Sequence, residues 1–478
     1  MHSAVRLRAL VAFAALGAAT ACGLAVSGLG PVDGGPRVED GSIEEVATGR
    51  DAGSDVTLDV AGDALERDTS SSDGRVCTVA TCAVDLALGP FHSCAILAGG
   101  AVRCWGSNEL GQLGFGAIVD GGVEPGATPT PGPAPVDGGA TQIVAGGVVT
   151  GTTPPAYNPF SCALLGTGDV ACWGGNADGE LGGGAEAGKD SIPHATPSPA
   201  DIAGATRLTG GGAHACALAA DAAVLCWGRG DDGQLGRAGV TFDPTPEPPS
   251  PSPEASVTQI ATGGYHSCVR ERTGAVECWG LDNLAQLGRT IATGNGFDPA
   301  AAPVPGLGGV QQIAAGYVDV CAVLDAGSVA CWGYNASGEL GRGTMDTFEV
   351  TPALVALPAG PPVVQVAIGA YHACAVRADG SLWCWGYNGM GQLGVGTVDS
   401  SGTVVTPNSS ATPLQVPLLP AVARVACGAF HTCAIMRAGP VFCWGANDYG
   451  QLGGGPGDGG DGGGIDDLAH VEPVVVAF

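Results

Sequence analysis

Cysteine is the residue whose spacing in this chain promises chemistry. Seven times the sequence repeats Cys, nine residues, then Cys-Trp-Gly: Cys94/Cys104, Cys162/Cys172, Cys216/Cys226, Cys268/Cys278, Cys321/Cys331, Cys374/Cys384 and Cys433/Cys443. Paired thiols can ligate zinc, act as nucleophiles or oxidise to disulfides. Structural zinc sites use short Cys-x₂₋₄-Cys spacing and a second ligand pair. Nine residues around a central turn instead set two cysteines opposite each other across a β-hairpin. Between Cys94 and Cys104 the turn Ala98-Gly99-Gly100 lies midway, and Cα atoms roughly 4.5–5.5 Å apart across such a pair suit a disulfide. The spacing therefore predicts seven hairpin staples, each contributing roughly 2.5–3 kcal/mol in the chain-entropy model. Outside the repeats, Cys77 and Cys82 are close enough to bridge, while Cys427 is either a buried free thiol or a partner for one of them.

Other constellations are weaker. His92, His214, His266, His372 and His431 share one repeat position, where Phe160 and Asp319 stand in the other two repeats. A metal needs clustered ligands, so each imidazole is expected to bond backbone within its own repeat. Gly183 to Asp190 is a near match to a phosphate-binding loop, yet Asp190 replaces the required Ser or Thr and Pro193 follows where a helix should begin. Asp458, Asp461, Asp466 and Asp467 lie in a Gly/Asp tract without the register of a calcium repeat and read as a solvated loop. No nucleophile elbow, metalloprotease histidine pair or sialidase-type aspartate box is present. The expectation is a chain with no catalytic, cofactor-binding or metal residues, and so not an enzyme.

These residues need a scaffold that presents them seven times. The second cysteines recur at intervals of 52 to 68 residues, a fixed spacing inside each repeat and an elastic one between, as stacked or ring-forming modules produce. In the last repeat, apolar runs at Val422 to Ala426, His431 to Ile435, Val441 to Trp444 and Val471 to Ala477 are separated by turn residues. Four strands per repeat, seven times over, predict an all-β, seven-bladed β-propeller of four-stranded blades. Each tryptophan lies one residue past a cysteine, so it points to the opposite sheet face and can fill the gap between blades. Seven variable segments follow the Gly-Leu-Gly-type motifs, at about 115–134, 183–199, 237–253, 289–303, 342–352, 395–412 and 454–470. By repeat symmetry they emerge on one face, the default binding surface.

The string Gly89-x-x-His92, Cys94-Ala95 and Trp105-Gly106-Ser107-Asn108-Glu109-Leu110-Gly111-Gln112-Leu113-Gly114 resembles the regulator of chromosome condensation repeat, and all seven repeats carry versions of it. The sequence resembles in particular an exported bacterial lipoprotein member of the alpha-tubulin-suppressor type. Departures from the pattern occur at Phe160, Asp319, Gly230, Asp282 and Ala285. The resemblance implies the propeller fold and recognition of other proteins through loops on one face.

The formal net charge is −28 and Lys189 is the only lysine; nucleic-acid binding needs clustered cations to neutralise phosphates, so it is excluded. Residues 1–22 read as a lipoprotein-type signal peptide, with Arg6 and Arg8 before an apolar core and Cys22 as the lipidated residue. Residues 23–76 carry twelve acidic side chains against four arginines and read as an acidic, disordered tether. A pre-propeller segment at 77–82 and the propeller at 83–478 complete the layout. The expectation is an outer-membrane or cell-surface lipoprotein, alternatively secreted or periplasmic, held to the membrane by its lipid alone. It would be a non-catalytic module of the cell envelope that binds an unknown protein partner. The alternative is binding or hydrolysis of carbohydrate or envelope polymer on the same face, which for hydrolysis requires paired carboxylates facing one cavity.

Overall fold

The computed structural model describes residues 82–478 apart from 120–121, 148–157, 254–255, 292–295, 399–403, 418, 456–464, 466–468 and 477. Cys22, Cys77, the tether and the four loop aspartates fall outside the described residues. What is described forms seven four-stranded antiparallel sheets arranged as a propeller. Blade 1 consists of Ala83–Leu88, His92–Leu97, Val102–Ser107 and Ala127–Ala134, in that order from axis to rim. Blade 7 repeats it with Val422–Cys427, His431–Met436, Val441–Gly445 and His470–Val475.

In every blade the second and third strands pair so that the two cysteines stand directly opposite each other. The seven disulfides of the described residues in blades 1 to 7 are Cys94–Cys104, Cys162–Cys172, Cys216–Cys226, Cys268–Cys278, Cys321–Cys331, Cys374–Cys384 and Cys433–Cys443. These are the pairings that the nine-residue spacing predicts. One detail differs: the Cα atoms lie 4.1 Å apart in each pair, closer than the roughly 4.5–5.5 Å of an unlinked antiparallel pair. The covalent bridge draws the two strands together at that point.

The second and third strands are largely buried, as their near-continuous apolar runs require, while the first is only partly so, as in Val422–Cys427. The fourth is different. Phe297–Pro303 is only half-buried along its length, and Ala127–Ala134 contains three prolines and a glycine that supply little to a core. An outermost strand pairs on one side only, so it tolerates residues without an N–H and has one face toward water. The variable segments are therefore loop in their first half and rim strand in their second. Two loops add small hairpins, Ala117–Val119 with Gly122–Glu124 and Thr397–Val398 with Val404–Thr406.

The ring closes without exchanging a strand, since blades 1 and 7 each draw all four strands from one end of the propeller. Closure rests on side-by-side packing. Trp105 donates to the carbonyl of Gln451 at 2.8 Å, its ring meets Phe478 edge-on at 5.8 Å, and Arg424 pairs with the buried Asp85 at 3.1 Å. At the matching junctions Gln142, Gln259, Gln312 and Gln365 instead bridge both backbone groups of the next inner strand.

Around the axis, the turns between first and second strands form a belt of backbone hydrogen bonds. The N–H of Gly212 donates to Gly263, that of Gly264 to Gly316, that of Tyr317 to Gly369 and that of Ala370 to Gly428, at 3.1–3.3 Å. A Cβ on Gly211, Gly263 or Gly369 would stand 2.2–2.4 Å from the neighbouring carbonyl oxygen or imidazole, which is why the repeat requires glycine there. These turns and the long loops after the third strands emerge on the same face. The other face carries the short turns between second and third strands, such as the one around Gly100, which accepts a hydrogen bond from Ala140 at 2.9 Å.

Gly369→Ala should lower stability by about 1–3 kcal/mol, the usual range for overpacking, whereas Gly308→Ala, where a Cβ meets nothing within 4 Å, should leave the melting temperature unchanged or slightly higher. Thermal unfolding of the two variants compares them directly, and equal behaviour would remove the steric role assigned to the belt.

Candidate functional site: blade junctions and the aromatic face

One junction recurs seven times and couples each blade to the next. The indole N–H of each motif tryptophan donates to the backbone carbonyl of the preceding blade's Gln or Glu: Trp173 to Gln112, Trp227 to Glu180, Trp279 to Gln234, Trp332 to Gln286, Trp385 to Glu339, Trp444 to Gln392 and Trp105 to Gln451, all at 2.7–3.0 Å. Two residues after that carbonyl comes a glycine. A Cβ on Gly182, Gly288, Gly341, Gly394 or Gly453 would stand 2.7–2.9 Å from the indole. The Gly-Gln-Leu-Gly and Cys-Trp-Gly motifs are thus the two halves of one contact, made across the blade boundary.

The repeat histidines join this junction. His92 Nε2 lies 3.0 Å from Ser161 Oγ, and Ser161 donates to the carbonyl of Gln112 at 2.9 Å. With its proton so committed, the hydroxyl oxygen accepts from the Nε2–H tautomer. The same relay runs from His214 to Ser267, from His372 to Thr432 and from His431 to Ser93. Bonding is therefore to the next blade's side chain, not to backbone of the same blade, which corrects the expectation from sequence. Each imidazole is fully buried, and burial lowers the pKa of all five histidines to about 3. They are neutral rivets, each facing its own neighbour, and do not converge as metal ligands.

Where the histidine is missing, its partner is missing too. Phe160 faces a blade with Ala215 at the hydroxyl position, and Asp319 faces one with Ala373. His266 meets Val320, and neither of its ring nitrogens has a partner. Blade 5 carries Asp319 for His and Glu339 for Gln. Both carboxylate oxygens of Asp319 and one of Glu339 are buried without a hydrogen-bond partner. Burial, reinforced by the neighbouring Glu339, raises the Asp319 pKa well above the ordinary carboxylate range. Glu180 in blade 2 is likewise fully buried, is bonded by Asn158 and by the N–H of Asp178, and is raised by burial to about 8.

The cysteines hold the blades and offer nothing to a ligand. The first of each pair (Cys94, Cys162, Cys216, Cys268, Cys321, Cys374 and Cys433) and the second (Cys104, Cys172, Cys226, Cys278, Cys331, Cys384 and Cys443) are all buried inside the blades. With every one of these sulfurs committed to its disulfide, none can supply a thiolate for zinc or for nucleophilic attack. Cys82 is disulfide-bonded. Cys427 is a free thiol, which settles the alternative left open by the sequence, and burial pushes its pKa up. It sits near His372 and Cys374, but Cys374 is already bonded to Cys384.

The Asn of the motif shapes the loop base, as Asn108 shows: its carbonyl oxygen accepts from Leu113 N–H at 3.0 Å and its amide donates to Phe115 at 2.9 Å. Asp282 keeps the acceptor half toward Leu287 and has no amide to donate. Gly183 to Asp190 forms a four-residue helical turn and the start of a rim strand, not a phosphate cradle. The axial cavity, about 100 Å³, is walled mostly by the glycine belt and by no carboxylate. Among the described residues no complete catalytic constellation forms.

What the loop face does present is aromatic. Tyr265, Tyr317, Tyr371 and Phe430 rise from the inner turns of blades 4 to 7 with successive ring centroids 5.7, 6.3 and 5.6 Å apart. Tyr387 joins Phe430 at 6.4 Å, and Phe91 with Tyr449 extends the arc at 5.1 Å. Burial raises the phenol pKa of Tyr317, Tyr371 and Tyr387, so these rings are neutral. Further out, Ile118, Val119, Ile192, Phe242, Met345 and Phe348 are exposed in the loops and at the starts of rim strands. Repeat symmetry located the face, but the arc was not anticipated. Its only sequence signal is an aromatic residue one or two positions after the belt glycine in five of seven repeats.

The model of the RCC1-like domain matches residues 62–416, and that of the regulator of chromosome condensation (RCC1) repeat matches 422–451. The chain belongs to the RCC1-like domain family. It is 28% identical over 374 residues to the ultraviolet-B receptor UVR8 of Arabidopsis thaliana, covering 77% of this chain and 78% of the receptor. It is 31% identical over 291 residues to the E3 ubiquitin-protein ligase HERC2 of Homo sapiens, covering 60% of this chain but 6% of the ligase. Among solved structures, Prp20p from Saccharomyces cerevisiae has a TM-score of 0.65 at 21% identity, covering 83% of this chain and 87% of that one; this likeness shows the fold.

These relatives overturn the expected address and attachment. UVR8 and the HERC ligases are nuclear or cytoplasmic proteins, not outer-membrane, secreted or glycan-binding surface proteins, and nothing ties this RCC1-like chain to a lipoprotein branch of the family. The lipid anchor at Cys22, the envelope setting and the glycan partner are withdrawn. That expectation rested on the basic and apolar residues of positions 1–22, which lie outside the described residues.

Two stability predictions follow from the junctions. A histidine whose folded pKa is depressed contributes stability that is full above pH 6.5 and is lost as pH falls toward about 3. His266→Leu removes an unpartnered imidazole and should raise the melting temperature at pH 5. His214→Leu deprives Ser267 of its donor and should cost about 1 kcal/mol at pH 7.5. Scanning calorimetry at the two pH values separates the pair. In blade 5 the raised carboxyl works the other way, with stability lost as pH rises above the unfolded carboxylate range. Asp319→His combined with Ala373→Ser rebuilds the relay, and urea unfolding should find the double variant at least about 1 kcal/mol more stable than the sum of the single changes predicts. Simple additivity would show that the relay is not a coupled unit.

Proposed function

We propose that this protein is a non-catalytic module that recognises another protein through the face carrying the long loops and the aromatic arc. The arc itself carries the reading. Tyrosine combines a large apolar ring with a polar tip, which is why it is enriched where proteins meet, and here four neighbouring rings are half-buried at the mouth of a rigid ring. The exposed apolar loop residues widen the patch beyond scattered single side chains. Family names point the same way: one solved relative is described as Kap60 bound to yeast RCC1, and others are ubiquitin-protein ligases.

Tyr317→Ala with Tyr371→Ala should abolish capture of the partners that the unaltered chain retains in pull-downs with mass-spectrometric readout, while leaving the melting temperature within a few degrees. Asp221→Arg with Asp379→Arg, on the short-turn face, should leave capture intact. The reverse pattern would place recognition on the other face and end this reading.

A further inference from the structure

The charge of the loop face indicates what kind of protein segment fits the arc. Among the described residues of these loops and rim-strand starts, the cations are Lys189, Arg229, Arg237, Arg289 and Arg342, and each is already engaged within the chain. Arg237 pairs with Asp243 at 2.7 Å, Arg289 with Asp298 at 3.2 Å and Arg342 with Glu349 at 3.1 Å. The other two cations sit on rings. Lys189 Nζ lies 3.7 Å from the centroid of Phe242, and the Arg229 guanidinium lies 5.4 Å from that of Tyr265.

Arg229 marks the end of the arc. It forms ion pairs with Asp231 and Asp232, and Asp178 of the preceding blade is close enough to sense its charge. Three carboxylates surround one guanidinium beside the arc. Glu109, Asp282 and Asp346 add negative charge on the same face with no cation of the described residues at ion-pair distance. The surface thus shows cations stacked on aromatic rings, one of them flanked by carboxylates, and it has more rings and carboxylates than cations.

From this we propose that the aromatic arc binds a basic, arginine-bearing segment of the partner protein, with guanidinium groups stacked on the exposed faces of Tyr265, Tyr317 and Tyr371 and anchored by Asp178, Asp231 and Asp232. A planar guanidinium is weakly hydrated and stacks on aromatic faces as an ammonium does not. The negative rim speeds encounter and makes binding sensitive to salt. This inference rests on the loop face being the recognition surface and adds the chemistry of what it recognises.

The test uses the full chain and two synthetic peptides of equal length and charge, an Arg-Gly repeat and a Lys-Gly repeat, with titration calorimetry at low and physiological salt. The expected result is binding of the arginine peptide at least ten-fold tighter than the lysine peptide. That binding should fall at least ten-fold in Tyr317→Leu/Tyr371→Leu and in Asp231→Asn/Asp232→Asn, and be unchanged in Asp221→Asn/Asp379→Asn. The aspartate pair is exposed enough to leave the fold intact if the tyrosine pair does not. Equal affinity for the two peptides, or binding that survives the arc and aspartate changes, would reduce the effect to general attraction by an acidic chain and overturn the proposal. If the arc variants lose cellular partners while the unaltered chain ignores the arginine peptide, the face still recognises proteins and the basic partner is wrong. If the arc variants keep every partner, the recognition surface itself is wrong.

Discussion

The whole ring depends on one hydrogen bond made seven times, from a tryptophan indole to the backbone carbonyl of a Gln or Glu in the preceding blade. Each tryptophan is fully buried between blades, so its N–H must find an acceptor or leave a desolvated donor. The acceptor is a backbone group held by a tight turn, and that turn needs glycine because the indole occupies the space of a Cβ. Within a blade, the residue before each tryptophan points to the opposite face of the strand and is tied to its neighbour by a disulfide. Adjacent residues therefore perform the two tasks of a propeller, rigidity inside a blade and adhesion between blades.

Around that invariant contact the chain tolerates change in linked pairs. The imidazole relay is present where both partners are present, and in blades 2 and 5 both are replaced. Blade 4 retains its histidine against a valine and leaves two nitrogens unpaired. Blade 5 exchanges a neutral relay for two buried carboxyls whose pKa burial raises. The junctions thus differ in their response to pH while sharing the same geometry. The loop face follows a separate logic, since its aromatic arc spans blades 4 to 7 and blade 1 and is absent from blade 3, where Ala213 takes the place of the ring.

Much of this was legible in the residues. A turn midway between paired cysteines announced their cross-strand register, and the position of Trp105 one residue on announced its opposite orientation. The loop face followed from the same alternation. The histidine relay was not legible, because His92 and Ser161 are 69 residues apart and their pairing depends on which blade faces which. The rim strands were misjudged as apolar because an edge strand has little burial to impose on its sequence. Export was misjudged because it was read from a short basic and apolar run at residues 1–22, a local pattern that says nothing of the blades that follow.

The amino-acid order alone sets the blade: strand alternation, turn glycines and cysteine spacing are local, and local sterics suffice to fix them. It determined the number of blades as well, since the motif can be counted. How the ring closes, through Trp105 on Gln451 and Arg424 on Asp85, and which buried groups of the described residues are left without partners, emerge only when the blades pack. Those outcomes depend on side chains from different blades meeting across a boundary. No local rule fixes such a meeting, and burial charges its full desolvation cost to any group that arrives alone.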